Sequence, residues 1–148
     1  MKYIISACLV GVPCRYNGSC RDIKELHEIV DNGDAIFLCP EIMADMPTPR
    51  ISCEINKQGE VVDVNGDTYT KDFLLGVDRA MMLVRDKEVE VAILQSRSPT
   101  CGCGKVYDGL FSGNLIEGDG LFTQALKRDG ITCVSEDEVL QNYDLGSL

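Results

Sequence analysis

The stretch VEVAILQSRSPTCGCG, Val89 to Gly104, limits most strongly what this chain can fold into. Its first half is a short apolar run rich in β-branched residues, the composition of a strand buried on both faces in a parallel sheet. Its second half cannot prolong that strand, because Pro99 lacks a backbone donor and Gly102 and Gly104 permit a tight turn around two thiols. The same arrangement recurs in YIISAC, which ends at Cys8, and in AIFLCPE, which carries Cys39. Open α/β sheets place their chemistry outside the carboxyl ends of the strands. Three strands that each deliver a thiol to that edge predict one shared site.

Around these strands the pattern alternates strand and helix. Tyr3 to Ala7 reads as the first strand, and Asn17-Gly18 as a turn in the loop that follows it. Asp22 is placed to cap a helix from Ile23 to Asp31, with Ile23, Leu26, Ile29 and Val30 facing inward and Asn32-Gly33 ending it. Ala35 to Leu38 then returns to the same edge, which makes a right-handed parallel crossover. Alternation on either side of Gln58-Gly59 predicts a small hairpin between Ser52 and Tyr69. Thr70 is the expected cap of a helix from Lys71 to Arg85, with Phe73, Leu74, Val77, Ala80, Met81 and Val84 as its apolar stripe. Met81 and Met82 are both assigned to core packing, and Gly76 to a close helix-to-sheet contact.

KVYDGLFSG, Lys105 to Gly113, reads as a turn-rich connector. A helix from Leu121 to Lys127 and a strand from Ile131 to Val134 follow. Ser135 caps a last helix, Glu136 to Tyr143, with Glu138 completing a capping box. The expected architecture is one domain over residues 1–148. It is a three-layer, Rossmann-like α/β domain with a mostly parallel sheet and a small β-hairpin insertion. A chain of this length buries roughly 70% of its unfolded surface without covalent staples.

Charge narrows the function classes. Fourteen Lys and Arg face 24 Asp and Glu, a net charge of -10, which disfavours a general nucleic-acid surface or an anionic membrane face. No run approaches the ~18 apolar residues of a spanning helix. The apolar opening MKYIISACLVG is broken by Ser6 and lacks a convincing cleavage site, so the expected location is the cytoplasm. The eight cysteines are therefore read as reduced thiols rather than a disulfide framework. Cys133, within ITCVS, reads as a small core hydrophobe, and the single histidine, His27, as a surface residue.

Cys8, Cys39 and Cys101 lack the short spacing of a zinc knuckle or a bacterial ferredoxin, so their shared position at strand ends is the stronger signal. Thiolates suit zinc, copper(I) or iron-sulfur centres. Three readings remain open from the residues: a cluster with one iron free of protein, zinc or another structural metal, and metal-free thiol chemistry. Cys103 stands two residues beyond Cys101 and is an alternative or fourth ligand. Cys14, Cys20 and Cys53 fall in loop or edge positions.

Several motifs together resemble the DUF523 family, which includes the thiouracil desulfurases. They are ISACLVG with CRYNG at residues 5–18, CPEIMADMPTPR at 39–50, SRSPTCG at 96–102, VYDGLFSG at 106–113 and GITCVSEDE at 130–138. The resemblance covers nearly the whole chain. It implies removal of sulfur from a thiouracil-like heterocycle or other small thioamide, on a [4Fe-4S] cluster held by Cys8, Cys39 and Cys101 with one iron free. It further implies catalytic roles for Glu41 and Ser98. Glu41 would relay protons or orient water, its alternative being the cap of a helix starting near Ile42. Ser98 would bond substrate or share a proton path, its alternative being turn capping before Pro99.

Arg15 and Arg50, with their rigid donor forks, and Ser6 are assigned to substrate binding, the two arginines having surface ion pairs as their alternative. Two departures from the family pattern stand out. Thr100 replaces a frequent Ser and keeps a hydroxyl. MADMPTPR replaces a Gly-rich segment, so Ala44 and Asp45 are expected to narrow or recharge the pocket mouth. The expected reaction is a non-redox transfer in which the open iron polarises C=S and water attacks the carbon. The competing function is a metal-binding structural or sensor protein whose four-cysteine site is closed by Cys103.

Overall fold

In a computed structural model that describes residues 2–142, with side chains described through Leu140, the chain forms an α/β sandwich. Its elements in order are β1 (Tyr3–Ser6), α1 (Lys24–Asp31), β2 (Ala35–Leu38), α2 (Pro40–Met43), β3 (Cys53–Ile55), β4 (Val61–Asp63) and α3 (Thr70–Asp86). They continue with β5 (Val91–Leu94), β6 (Lys105–Tyr107), β7 (Leu115–Glu117), α4 (Leu121–Arg128), β8 (Thr132–Ser135) and α5 (Glu136–Asn142). A short 3-10 turn, Ala7–Leu9, follows β1. The main sheet has the order β2-β1-β5-β8, and every pairing in it is parallel.

The central strands β1 and β5 are buried on both faces, while the edge strands β2 and β8 each expose a residue, Phe37 and Thr132. Tyr3 and Ile5 of β1, Ile93 of β5 and Val134 of β8 pack with Leu26 and Ile29 of α1 and Val139 of α5. Their neighbours Ile4, Ala92 and Leu94 pack on the other side with Val77, Met81 and Val84 of α3 and Phe122 and Leu126 of α4. The period of two along each strand thus feeds two separate cores. From β1 the chain moves to β2 on one side, and β5 lies on the other side of β1. The strand order therefore reverses between β1 and β5, where ligand crevices form in such sheets.

The expected hairpin is present as β3 with β4, paired antiparallel. A second one, β6 with β7, lies inside the segment expected to be only a turn-rich connector. Its strands have three residues each, and all three of β7 are exposed, so no burial alternation marks them in the sequence.

Several local expectations change. Ile23, not Asp22, occupies the position before α1, and the Asp22 carboxylate instead pairs with the His27 imidazole. Thr70 is the first residue of α3 rather than its cap, and its Oγ1 accepts the Val61 N–H at 2.9 Å, tying α3 to β4. Leu74 is 44% exposed and Met82 72% exposed. Each stands one residue, about 100° of helical rotation, beyond its buried neighbour, Phe73 or Met81. Gly76 makes its close approach to α2 rather than to the sheet, since a Cβ there would overlap the Pro40 carbonyl oxygen. Ser135 does receive the Glu138 N–H, at 3.3 Å on its Oγ, as a capping residue should. The expected end of that helix at Tyr143 lies outside the described residues.

Candidate functional site

Cys8 lies on the turn after β1, Cys39 directly after β2 and before α2, and Cys101 in the turn after β5. The three strands are adjacent and parallel, so their carboxyl ends meet and all three residues line one inner cavity of about 30 Å³. Ser6, Arg15, Glu41, Arg50 and Ser98 line the same cavity. Every residue expected at the site except Cys103 is therefore brought together. Cys103 packs instead toward β8, where its Sγ donates to the Cys133 carbonyl at 3.3 Å.

A fourth thiol completes the cavity. Cys14, on the loop between β1 and α1, lines it as well and is 4% exposed. Its side chain hydrogen-bonds with both Cys39 and Cys8, which raises its own pKa as the group that keeps a proton. The same bond is the main cause holding Cys39 down to about 7, against burial and with help from the Ile42 N–H. Cys8 is lowered mainly by Cys14, with Arg15 adding to the effect. Cys101 is pushed well upward by burial, a rise that a hydrogen bond from Ser6 opposes. Soft donors crowd this cavity.

The donor set suits an iron-sulfur cluster, which takes thiolates on separate irons. Among the described residues no three His, Cys, Asp or Glu side chains converge to hold a single metal ion. Arg15 supplies an independent sign. Its Nε is buried without a hydrogen-bond partner, and Arg15 lines the thiol cavity. A buried N–H with nothing to bond is costly, so an anionic acceptor belongs beside it. The residues present fit the cluster.

Glu41 sits in the first turn of α2, two residues beyond Cys39. One oxygen, Oε1, accepts Arg50 Nε at 3.0 Å, and Oε2 accepts Thr100 Oγ1 at 3.1 Å. The carboxylate is thus held from two sides while it lines the cavity. Arg50 also donates from Nη2 to the Cys14 carbonyl at 2.8 Å and from Nη1 to Thr48 Oγ1 at 3.1 Å. A guanidinium with so many fixed acceptors positions its neighbours.

Ser98 organises the turn that presents Cys101. Its Oγ accepts the N–H groups of Thr100 and Cys101, both at 3.0 Å, which leaves its own hydroxyl hydrogen free to donate. Gly102 is required in that turn, because a Cβ would lie 2.7 Å from the Ser98 carbonyl oxygen. Ser6 Oγ accepts the Gln95 N–H at 3.0 Å, and Cys8 Sγ donates to Gln95 Oε1 at 2.7 Å. The ends of β1 and β5 are thereby joined across the reversal point of the sheet.

An outer cleft of about 650 Å³ opens onto this cavity, and Arg15, Glu41, Gln95 and Ser98 line both spaces. Its volume is that of a small-molecule site. Phe73, Tyr107 and Phe111 contribute apolar walls. Glu54 is 8% exposed, and its Oε1 accepts the N–H groups of Gly109 at 3.0 Å and Phe111 at 3.2 Å, fixing the β6–β7 hairpin over the cleft. Cys53 also faces this cleft, whereas Cys20 is exposed elsewhere. Ala44 and Asp45 line neither space. Ala44 is buried under Gly76, and Asp45 pairs with Arg79 at 3.1 Å.

Sequence reasoning missed Gln95, the part played by Thr100 and the place of Cys14. Gln95 is the first residue after β5, a position the strand-end rule marks. Thr100 was legible only as a hydroxyl, and its contact with Glu41 bridges 59 positions.

Three comparisons bear on this geometry. The model of the 2-thiouracil desulfurase family matches residues 3–138. YbbK, an uncharacterized protein of Bacillus subtilis strain 168, is 32% identical over 145 residues, covering 92% of this chain and 96% of the relative. A solved structure of the [4Fe-4S]-dependent thiouracil desulfidase TudS superposes with a TM-score of 0.89 at 37% identity, over 95% of this chain and 93% of that one.

Proposed function

This chain belongs to the 2-thiouracil desulfurase family, and from that membership we propose that it is an iron-sulfur-dependent desulfurase acting on a small thiolated heterocycle. The observation that carries the reading is the thiol-lined cavity at the carboxyl ends of β1, β2 and β5, in a chain 37% identical to a [4Fe-4S]-dependent thiouracil desulfidase. Cys8, Cys39 and Cys101 would hold the cluster. When bound, the cluster supplies a Lewis-acidic iron with affinity for sulfur.

The overall exchange is thiocarbonyl plus water giving carbonyl plus hydrogen sulfide. It balances without an electron acceptor. Glu41, lining both the cleft and the cavity, takes a proton from the attacking water on a carboxylate oxygen, and Arg50 and Thr100 hold it in place meanwhile. The free Ser98 hydroxyl hydrogen donates to a substrate heteroatom. Arg15 presents its guanidinium where the outer cleft meets the inner cavity and orients an anionic or carbonyl group there. The aromatic walls admit a flat ring and exclude water from its faces.

The test is the metal content of protein purified without oxygen, followed by sulfide release from 2-thiouracil and other thioamides. About four irons and four sulfides per chain, with a broad absorption near ~400 nm, are expected. Stoichiometric zinc without that band, even after anaerobic reconstitution, would overturn the reading.

A further inference from the structure

The outward side of α3 carries apolar residues that sulfur chemistry does not use. Leu75 and Met82 are exposed and line neither the cleft nor the cavity, and Met82 is the most exposed large apolar side chain among the described residues. The two stand almost in line along the helix, two turns apart less about 20° of rotation. Leu74 and Leu83, also exposed, border that line on opposite sides. Single exposed leucines are ordinary on a protein surface. A stripe of them along two turns of one helix marks a contact.

The charges around the stripe are ordered. All the charged residues of α3 are exposed, and its acids Asp72, Asp78 and Asp86 equal in number its bases Lys71, Arg79 and Arg85. About the midpoint between Asp78 and Arg79, residues at equal distance carry opposite signs: Asp78 with Arg79, Asp72 with Arg85 and Lys71 with Asp86. The same midpoint relates Leu75 to Met82 and Leu74 to Leu83. Because a helix turns uniformly, the members of each pair lie at equal angles on either side of the outward direction. A two-fold axis through the midpoint, perpendicular to the helix, therefore lays every acid of one copy against a base of another and every apolar residue against an apolar one.

We propose that α3 is the contact of a homodimer, packed antiparallel against α3 of a second copy about that axis. The proposal stands whether or not a cluster is bound. Leu75 of each copy covers Met82 of the other at the seam, and the flanking charges set the register. Arg79 Nη1 is already held by the Met43 carbonyl at 2.5 Å and Asp45 at 3.1 Å, and Arg85 Nε by Asp129 at 2.9 Å. Both guanidinium groups are thereby oriented in advance, with further N–H groups to offer Asp78 and Asp72 of the second copy. Two copies of a chain with a net charge of -10 repel each other over most of their surface. The α3 face is neutral and self-complementary, which suits a second copy better than a basic partner or a nucleic acid.

Sedimentation velocity of the full chain, purified without oxygen, tests this between about 1 and 100 µM, where modest interfaces dissociate. The native protein is expected to form a dimer within that range. Met82→Asp puts a charge into the seam twice per dimer and should raise the dissociation constant at least about tenfold. Lys71→Glu sets like charges against Asp86 and should raise it by about tenfold as well. Adding Asp86→Lys to Lys71→Glu restores opposite signs and should return the constant to within about threefold of the native value. A native protein that stays monomeric throughout overturns the proposal, as does a dimer that Met82→Asp leaves unchanged. A double variant that dimerises no better than Lys71→Glu overturns it too, because the two-fold register then fails.

Discussion

Arg50 Nε donates to Glu41 Oε1 at 3.0 Å with the two side chains only 5% and 16% exposed, so the proposed proton carrier of this site is half of a largely buried ion pair. Arg50 simultaneously reaches Pro47, Thr48 and Cys14, which joins α2, the segment after it and the loop before α1. Arg50→Met is expected to leave the Glu41 charge uncompensated, at a cost of about 3 kcal/mol. Urea unfolding of the apoprotein measures it. Arg50→Lys should recover little, because an ammonium cannot reproduce the fork. A loss below half of that figure in Arg50→Met would mean that water replaces the guanidinium.

Glu41→Gln keeps the shape and the Thr100 contact but cannot take a proton. Sulfide release should fall by about 10²- to 10⁴-fold with iron and sulfide content unchanged. A rate equal to that of the native protein at equal cluster content would remove Glu41 from the chemistry.

Gly76→Ala inserts a methyl group where α3 crosses α2, against the Pro40 carbonyl. The better helix propensity of Ala, worth about 1 kcal/mol, does not offset a backbone overlap, and a net loss of about 2 kcal/mol is expected. Because α2 carries Glu41 and begins beside Cys39, cluster content should fall together with the melting temperature. A variant as stable as the native protein would show that the two helices separate freely.

Thiol labelling of the apoprotein should separate the cysteines by environment. Cys20 is exposed and is expected to react first with iodoacetamide. Cys53 is pushed up to about 12, chiefly by burial and further by the negative charges of Glu41 and Asp63. At pH 8 only about one Cys53 in ten thousand is then a thiolate, the form that alkylates. Mass spectrometry should find Cys53 unmodified until the chain unfolds. Early modification of Cys53 in folded protein would contradict that placement.

What was legible beforehand followed from contiguity. The sheet strands are short, mainly apolar runs, and three of them lead into segments that carry Cys8, Cys39 and Cys101, so the shared edge of those thiols followed from parallel pairing. The β6–β7 hairpin was not legible, because three-residue strands with solvent-facing side chains carry no alternation. Leu74 and Met82 were misplaced because a helical stripe drifts by one residue at its margin. Asp22 failed as a cap because His27, one turn into the helix, offered its carboxylate another partner.

From residue order alone come the α/β class, the parallel sheet and the thiol-bearing edge, consequences of local pattern and of strands that share a direction, whereas Glu41 and Ser98 were singled out only by the resemblance to a known family. Only the tertiary structure places Cys14 between two other thiols, couples Glu41 to Thr100 and Arg50, bridges Cys8 to Gln95 and turns Cys103 toward Cys133. Several of these contacts span long stretches of sequence, 59 positions between Glu41 and Thr100 and 87 between Cys8 and Gln95. Their positions are set by how the sheet's two faces and its carboxyl edge are packed, and no periodicity in the chain encodes that.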